Sequence, residues 1–313
     1  MLKVLIAGGS GFIGRHLSRR IRESGGEVAI VTRSPNPSLP FQQITWDSLS
    51  NEEKSSKLVE GYDMIVNLSG AGIEKKWSEA YKKEMLESRI RSTSTIVKAI
   101  NSSKERPKYF VNASAVGYYG DVEGKAVDED SKPGDDYLAN LCVSWEEEAR
   151  KIDREVKLLI PRFGVILGRD GGAFPQLMRG INSGVSFNLK GRESWKSWVH
   201  IDDAISSIVF MTQIGFDGPY NVVSPNPLRM DGMMNILAME SGRKIRIRMG
   251  PAMANLLLGE GSKYSIFSGQ KVVPKRLIDS GFNFKFPGIS EALKDLLAEG
   301  EMKDAKESSV KGS

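Results

Sequence analysis

The chain has 313 residues, 40% hydrophobic and 27% charged, a globular balance that excludes disordered and fibrous classes. At about 150 residues per unit there is room for two structural units. One cysteine (Cys142) and two histidines (His16 and His200) exclude an internal disulfide and a Cys- or His-rich metal centre, and the 44 Lys and Arg against 39 Asp and Glu are spread without a basic block or nucleic-acid-binding pattern.

Lys3–Ala7 reads as a short apolar strand rather than a signal peptide. Phe12–Glu23 repeats apolar residues at helical spacing. Val28–Val31, Ile44–Trp46 and Met64–Leu68 are the next strands predicted, the second of them weak. A long helix is predicted over Trp77–Asn101, then a strand from Tyr109 to Val111, a helix over Tyr137–Lys151 and a strand Val156–Ile160. This alternation argues for an α/β fold, a doubly wound parallel sheet with helices on both faces. Beyond residue 168 the pattern changes. Phe174–Ile181 follows a glycine-rich loop, and Arg192–Trp198 is a short strand or loop. Asp202–Gln213 is a helix capped by Asp202 or Asp203, and Tyr220–Val223 a strand. Met230–Ser241 is another helix, and Lys244–Met249 a half-exposed strand. No apolar run approaches the roughly 18 residues of a membrane span.

The first of these elements frame a motif. Gly8, Gly11 and Gly14 are spaced by three, directly after a strand and before a helix. The first glycine permits the tight turn, the second lets backbone approach a pyrophosphate, and the third lets helix and strand pack closely. The helix N-terminus then offers unpaired N–H groups to phosphate. Gly8, Ser10, Gly11, Phe12 and Ile13 are the expected cradle. At the end of the second strand, no carboxylate lies between Val28 and Asn36, where one would accept from a ribose 2′-hydroxyl. Arg33, with Thr32 or Ser34, is placed instead to hold a 2′-phosphate; the alternative is an ordinary exposed arginine. The expected cofactor is therefore NADP(H).

The stretch Ala7–Gly14 resembles the extended short-chain dehydrogenase/reductase superfamily. Asn67–Ile73, Trp77, Glu84, Ser88–Arg89, Ser114–Gly120, Trp145–Glu146, Arg162–Gly168, Trp198–Asp203, Gly269–Leu277 and Gly281–Phe282 follow in order. Together, over about residues 2–298, they are similar to the epimerase-family-protein group of atypical short-chain dehydrogenases. The resemblance implies a Rossmann-type NADP-binding sheet with a smaller C-terminal substrate-side α/β region. Residues 1–168 would form the cofactor unit, with one strand and helix returning from about 198–223; 169–298 would be mainly substrate-side, and 299–313 a flexible tail. Leu68, Ser69 and Gly70 would lie against the adenosine half or the pyrophosphate. Glu84 and Arg89 would also contact the cofactor, unless they are surface residues. Ile166 would turn its backbone toward the nicotinamide.

The superfamily's acid/base is a tyrosine with a lysine four residues on and a nearby Ser or Thr. Tyr137 is the candidate, but Leu141 stands where the lysine would be. Ser114 falls one residue before the expected hydroxyl position. Tyr118, Tyr119, Trp198 and His200 are substrate-side candidates, beside Lys190, Arg192, Trp195 and Lys196. The alternative is that Trp195 and Trp198 pack between units and that His200 bonds beside a helix cap. Two readings stand: an oxidoreductase or epimerase-like enzyme acting on an unidentified small molecule, or a non-catalytic NADP(H)-binding sensor or partner-docking protein. No metal, nucleic acid or membrane partner is expected. A monomer or homodimer in the cytoplasm is expected.

Overall fold

The computed structural model describes all residues except 74, 123, 188–193, 250–268 and 299–313. The expected tail, Lys190 and Arg192 lie outside the described residues. In chain order, β1 (Lys3–Ala7), α1 (Phe12–Glu23), β2 (Glu27–Thr32) and β3 (Gln42–Thr45) come first. Next are α2 (Trp46–Leu49), α3 (Glu52–Val59), β4 (Met64–Asn67), α4 (Glu79–Asn101), β5 (Tyr109–Asn112) and β6 (Ser114–Ala115). A 3₁₀ turn, Val116–Tyr119, leads to β7 (Ala126–Val127), α5 (Tyr137–Ala149) and β8 (Lys157–Phe163). The later part contains β9 (Val165–Gly168), β10 (Gly171–Gly172), α6 (Phe174–Asn182), β11 (Val185–Phe187), β12 (Trp195–Lys196) and β13 (Trp198–His200). It continues with α7 (Ile201–Gln213), β14 (Gly218–Val222), β15 (Leu228–Arg229), α8 (Met230–Glu240), β16 (Ile247–Met249), β17 (Lys271–Val272), α9 (Lys275–Asp279) and α10 over 289–298.

The main sheet runs β14-β8-β5-β4-β1-β2-β3, each neighbouring pair parallel, with β6 added beside β8. Strand order reverses on either side of β1, the doubly wound arrangement that the alternation predicts. Its central strands are mostly apolar because both faces are covered. Val4 and Ile6 share a core with Leu17 and Ile21 of α1 and Ile205, Ile208 and Met211 of α7. Leu5 and Ala7, pointing the other way, share a second core with Ile96, Val97 and Ile100 of α4. A third core joins Leu167, Phe174, Trp198, Met233, Met234, Leu237, Phe286 and Leu293 in the later part of the chain.

Local chemistry explains where the structure departs from the sequence reading. Thr45 and Asn51 accept from the N–H groups of Ser48 and Glu53 and start α2 and α3, which are too short and polar to show helical periodicity. Ser78 caps α4 by accepting from Tyr81 N–H, so that helix starts at Glu79 rather than Trp77. The cap of α7 is His200, not Asp202 or Asp203. The strand expected to stop at Ile160 continues through Pro161 to Phe163. Pro161 falls opposite the break between β5 and β6, where its missing N–H costs no ladder bond. Among the described residues no helix is long and apolar enough to cross a membrane.

Candidate functional site

The register Ala7–Val31 and Ala7–Asn67 brings the carboxyl ends of β1, β2 and β4 level, at the edge where open α/β sheets bind ligands. Gly8 has φ of +81°, and a Cβ there would stand 3.0 Å from the Leu68 carbonyl. Gly11 N–H donates to Gly8 O at 3.0 Å and closes the turn. A Cβ on Gly14 would meet Gly8 O at 2.3 Å, so α1 sits directly on the turn. Gly11, the N-cap, has no side chain to satisfy the first N–H groups, and the first turn carries no acid. That leaves backbone donors and the positive dipole end facing outward with Ser10 and Ile13. The Phe12 ring turns the other way and packs on Gly168, Gly171 and Gly172.

At the end of β2 the Thr32 hydroxyl donates to Ser34 O and shapes the turn that presents Arg33. Arg33 is exposed, two residues beyond Val31, which pairs with Ala7. The loop after β4 is tightly laced. Leu68 N–H donates to Ala7 O, Ser69 N–H to Asn67 Oδ1, and Ala71 N–H to Ser88 Oγ. Arg89 donates to the carbonyls of Ala71 and Met85, lies over the Trp145 ring, and abuts Gly70. Leu68 and Ser69 lie against Gly8, Gly70 abuts Arg89, which braces the loop, and Glu84 is exposed on α4. Ile166 already gives its carbonyl to Ala173 N–H at 2.9 Å.

The expected acid/base residues are not brought together. Tyr137 donates its hydroxyl to Lys82 O at 2.6 Å, with its ring edge-on to Trp77. Leu138 and Cys142 of α5 lie against the Val116–Tyr119 turn: a Cβ on Gly117 would stand 3.4 Å from Leu138 and 3.8 Å from Cys142. Burial pushes the Cys142 thiol up to about 12. Ser114 donates to Glu146 Oε1 at 2.7 Å. Arg162 grips both oxygens of Glu146, each at 2.8 Å, and donates to Tyr119 Oη at 3.0 Å. Tyr119 in turn donates its hydroxyl to Asn221 Oδ1 at 2.8 Å, and burial pushes its phenol up to about 12, so it stays a neutral donor. The Tyr118 ring lies flat under the Arg162 guanidinium, 3.4 Å away.

Glu146 and Arg162 are each 2% exposed and were legible only as parts of the family motifs. The sequence signal was there, a charge interrupting the apolar run Leu158–Phe163. A second polar cluster, also unforeseen, links Asn67, Thr93, Asn112 and Trp145 between β4, β5, α4 and α5.

Trp198 is fully buried in the third core and donates to Asn226 O. Lys196 is 4% exposed, and burial lowers its ammonium to about 7 against the pull of Asp121. His200 accepts from Asp202 N–H through Nδ1, so its proton sits on Nε2, 3.4 Å from Asp295 on α10. Burial holds the imidazole below 6.5 despite Asp202 and Asp295, and Lys285 adds to the effect. The unfolded chain takes up this proton first. Stability is therefore expected to fall as pH drops through about 6.5 and to level off below the folded value. Urea midpoints near pH 7.5 and 5.5 check this: His200→Asn, which keeps a capping oxygen, should lose less than the parent. An equal loss in both proteins overturns the assignment.

Residues 4–223 match the NAD dependent epimerase/dehydratase family, and residues 251–296 match a domain of unknown function, DUF1731. The chain is 35% identical to the Arabidopsis thaliana epimerase family protein SDR39U1 homolog, chloroplastic, over 95% of this chain and 87% of the relative. It is 31% identical to human epimerase family protein SDR39U1, over 95% of this chain and 100% of that one. The crystal structure of the human protein (isoform 2) with NADPH superimposes with a TM-score of 0.87, covering 94% of this chain and 99% of that chain.

Proposed function

The chain belongs to the NAD dependent epimerase/dehydratase family, and from that premise we propose that it binds NADP(H) across the carboxyl edge of the main sheet and catalyses an oxidoreductase or epimerase-like reaction on a small molecule. The observation that carries the cofactor is the glycine turn: backbone donors at an uncapped helix start, with no carboxylate at the end of β2 and Arg33 directly after that strand. The residues fit the group. Gly8, Ser10, Gly11 and Ile13 would hold the pyrophosphate, Thr32 and Arg33 the adenosine 2′-phosphate, and Leu68, Ser69 and Gly70 the adenosine side. When bound, the nicotinamide supplies a hydride donor or acceptor.

The acid/base differs from the superfamily's. Leu138 and Cys142 on the α5 face cannot trade protons at neutral pH, and the Tyr119 and Tyr137 hydroxyls donate elsewhere. Tyr118 at the carboxyl edge and Lys196, held near neutrality by burial, are the groups we assign to the substrate chamber. Trp198 supports this chamber through packing, and His200 through its cap on α7. A cytoplasmic monomer or homodimer with no nucleic-acid partner remains part of the proposal; the Arabidopsis relative is chloroplastic.

The same apolar α5 face favours a second reading, a protein that holds NADP(H) without turning it over. Calorimetry tests the shared premise. Arg33→Ala should weaken NADPH about tenfold and leave NADH within about twofold, because only the 2′-phosphate loses a charge-assisted partner. Equal affinity of the parent for both cofactors overturns it. NADPH oxidation across a panel of sugars, quinones and small carbonyls then separates the two readings. Turnover abolished by Lys196→Met or Tyr118→Phe, with NADPH affinity intact, supports the enzyme; tight binding without turnover supports the sensor.

A further inference from the structure

Outside the turn itself, α1 carries Arg15, Arg19 and Arg22 at helical spacing on one side. These arginines line a groove of about 490 Å³ together with Gly9, Ser10, Leu39 and Phe41. Glu23 also lines it.

The arginines are not equivalent. Arg15 is held by Asp170 at 3.2 Å and by Ser10 O at 3.4 Å. Arg22 lies over the Phe41 ring, its guanidinium carbon 5.6 Å from the centroid. Arg19 is exposed and has no carboxylate within ion-pair distance among the described residues. It faces the groove from the helix side. Arg33, likewise exposed, directly follows β2, on the strand side. Arg19 thus lines the same groove as Gly9 and Ser10, and Arg33 follows the strand that pairs beside β1. A doubly charged phosphate monoester held between the two would meet hydrogen-bond donors arranged as planar forks.

We propose that Arg19 is a second specificity determinant, gripping from α1 the same adenosine 2′-phosphate that Arg33 meets from β2. This rests on the reading of the site as an NADP(H) site and adds a residue to it. Arg19 does not touch the reacting atoms. Its effect is on which cofactor is held.

The test is isothermal calorimetry on the full chain with NADPH, NADH, 2′,5′-ADP and 5′-ADP. The proteins compared are the parent, Arg19→Ala, Arg33→Ala and Arg20→Ala, the last an exposed arginine on α1 outside the groove. Arg19→Ala should weaken NADPH and 2′,5′-ADP about five- to tenfold and leave NADH and 5′-ADP within about twofold, while Arg20→Ala changes none of them. Arg19→Lys should recover part of the loss, since it restores charge without the fork. The proposal is overturned if Arg19→Ala keeps full NADPH affinity while Arg33→Ala loses it, or if all four ligands weaken together. Equal binding of NADPH and NADH by the parent fails the cofactor reading itself, and shows it before any variant is made.

Discussion

Replacing Glu146 by alanine is expected to cost about 3–5 kcal/mol of folding stability, a large part of the 5–15 kcal/mol typical of a domain. Glu146 and Arg162 are both 2% exposed, and the carboxylate accepts from Ser114, from two nitrogens of Arg162, and from Arg150 at 3.4 Å. Removing it leaves the guanidinium buried against a neutral phenol, Tyr119. A charge in low dielectric without its counter-charge is the expensive species, so the expected order is Glu146→Ala worst, Glu146→Gln intermediate, and the double replacement Glu146→Met with Arg162→Met milder than the alanine single. Urea unfolding of the parent, these three variants and the singles Glu146→Met and Arg162→Met measures this. A double variant as unstable as the sum of its singles would mean that the pair does not act as a unit.

Gly14→Ala should weaken NADPH at least about tenfold and destabilise the protein by about 1–3 kcal/mol. The added methyl would stand 2.3 Å from Gly8 O and 2.6 Å from Gly9 Cα. Both are backbone, so no side chain can swing away; α1 must lift off the turn, and the donors at its start move with it. Gly25→Ala is the control. Gly25 has φ of +80° and nothing within 4 Å of its would-be Cβ, so alanine there costs about 1–2 kcal/mol of local strain and leaves NADPH affinity unchanged. Calorimetry with NADPH, alongside thermal unfolding, separates the two glycines. Unaltered NADPH binding by folded Gly14→Ala would remove the close packing of turn and helix from the argument.

The contrast between these two sites shows what can be read in a chain before it folds. The boundaries of β1 and α1 were legible to the residue, because a run of apolar residues, three glycines and a helical repeat are all local events within about twenty positions. The same locality made Arg33 readable, since a strand end and its neighbouring turn are contiguous. Short helices α2 and α3 were not legible, because their stability rests on Leu49 and Val59 reaching the second core rather than on their own pattern. Tyr137 was singled out by its place at a helix start, yet one helical step decides direction. Leu138 and Cys142 share the face toward the sheet edge, and Tyr137 is rotated toward Trp77 and Lys82.

By itself the sequence determined the doubly wound sheet, the glycine turn and the basic residue beside it, each encoded by spacing along the chain. Only the tertiary structure decided that Glu146 serves Arg162 and Ser114, that Tyr119 reaches Asn221, 102 positions away, and that Arg19 shares a groove with Gly9. Such pairings follow from which helix face meets which strand. That choice is made by the packing of whole elements, whose energy no local window contains.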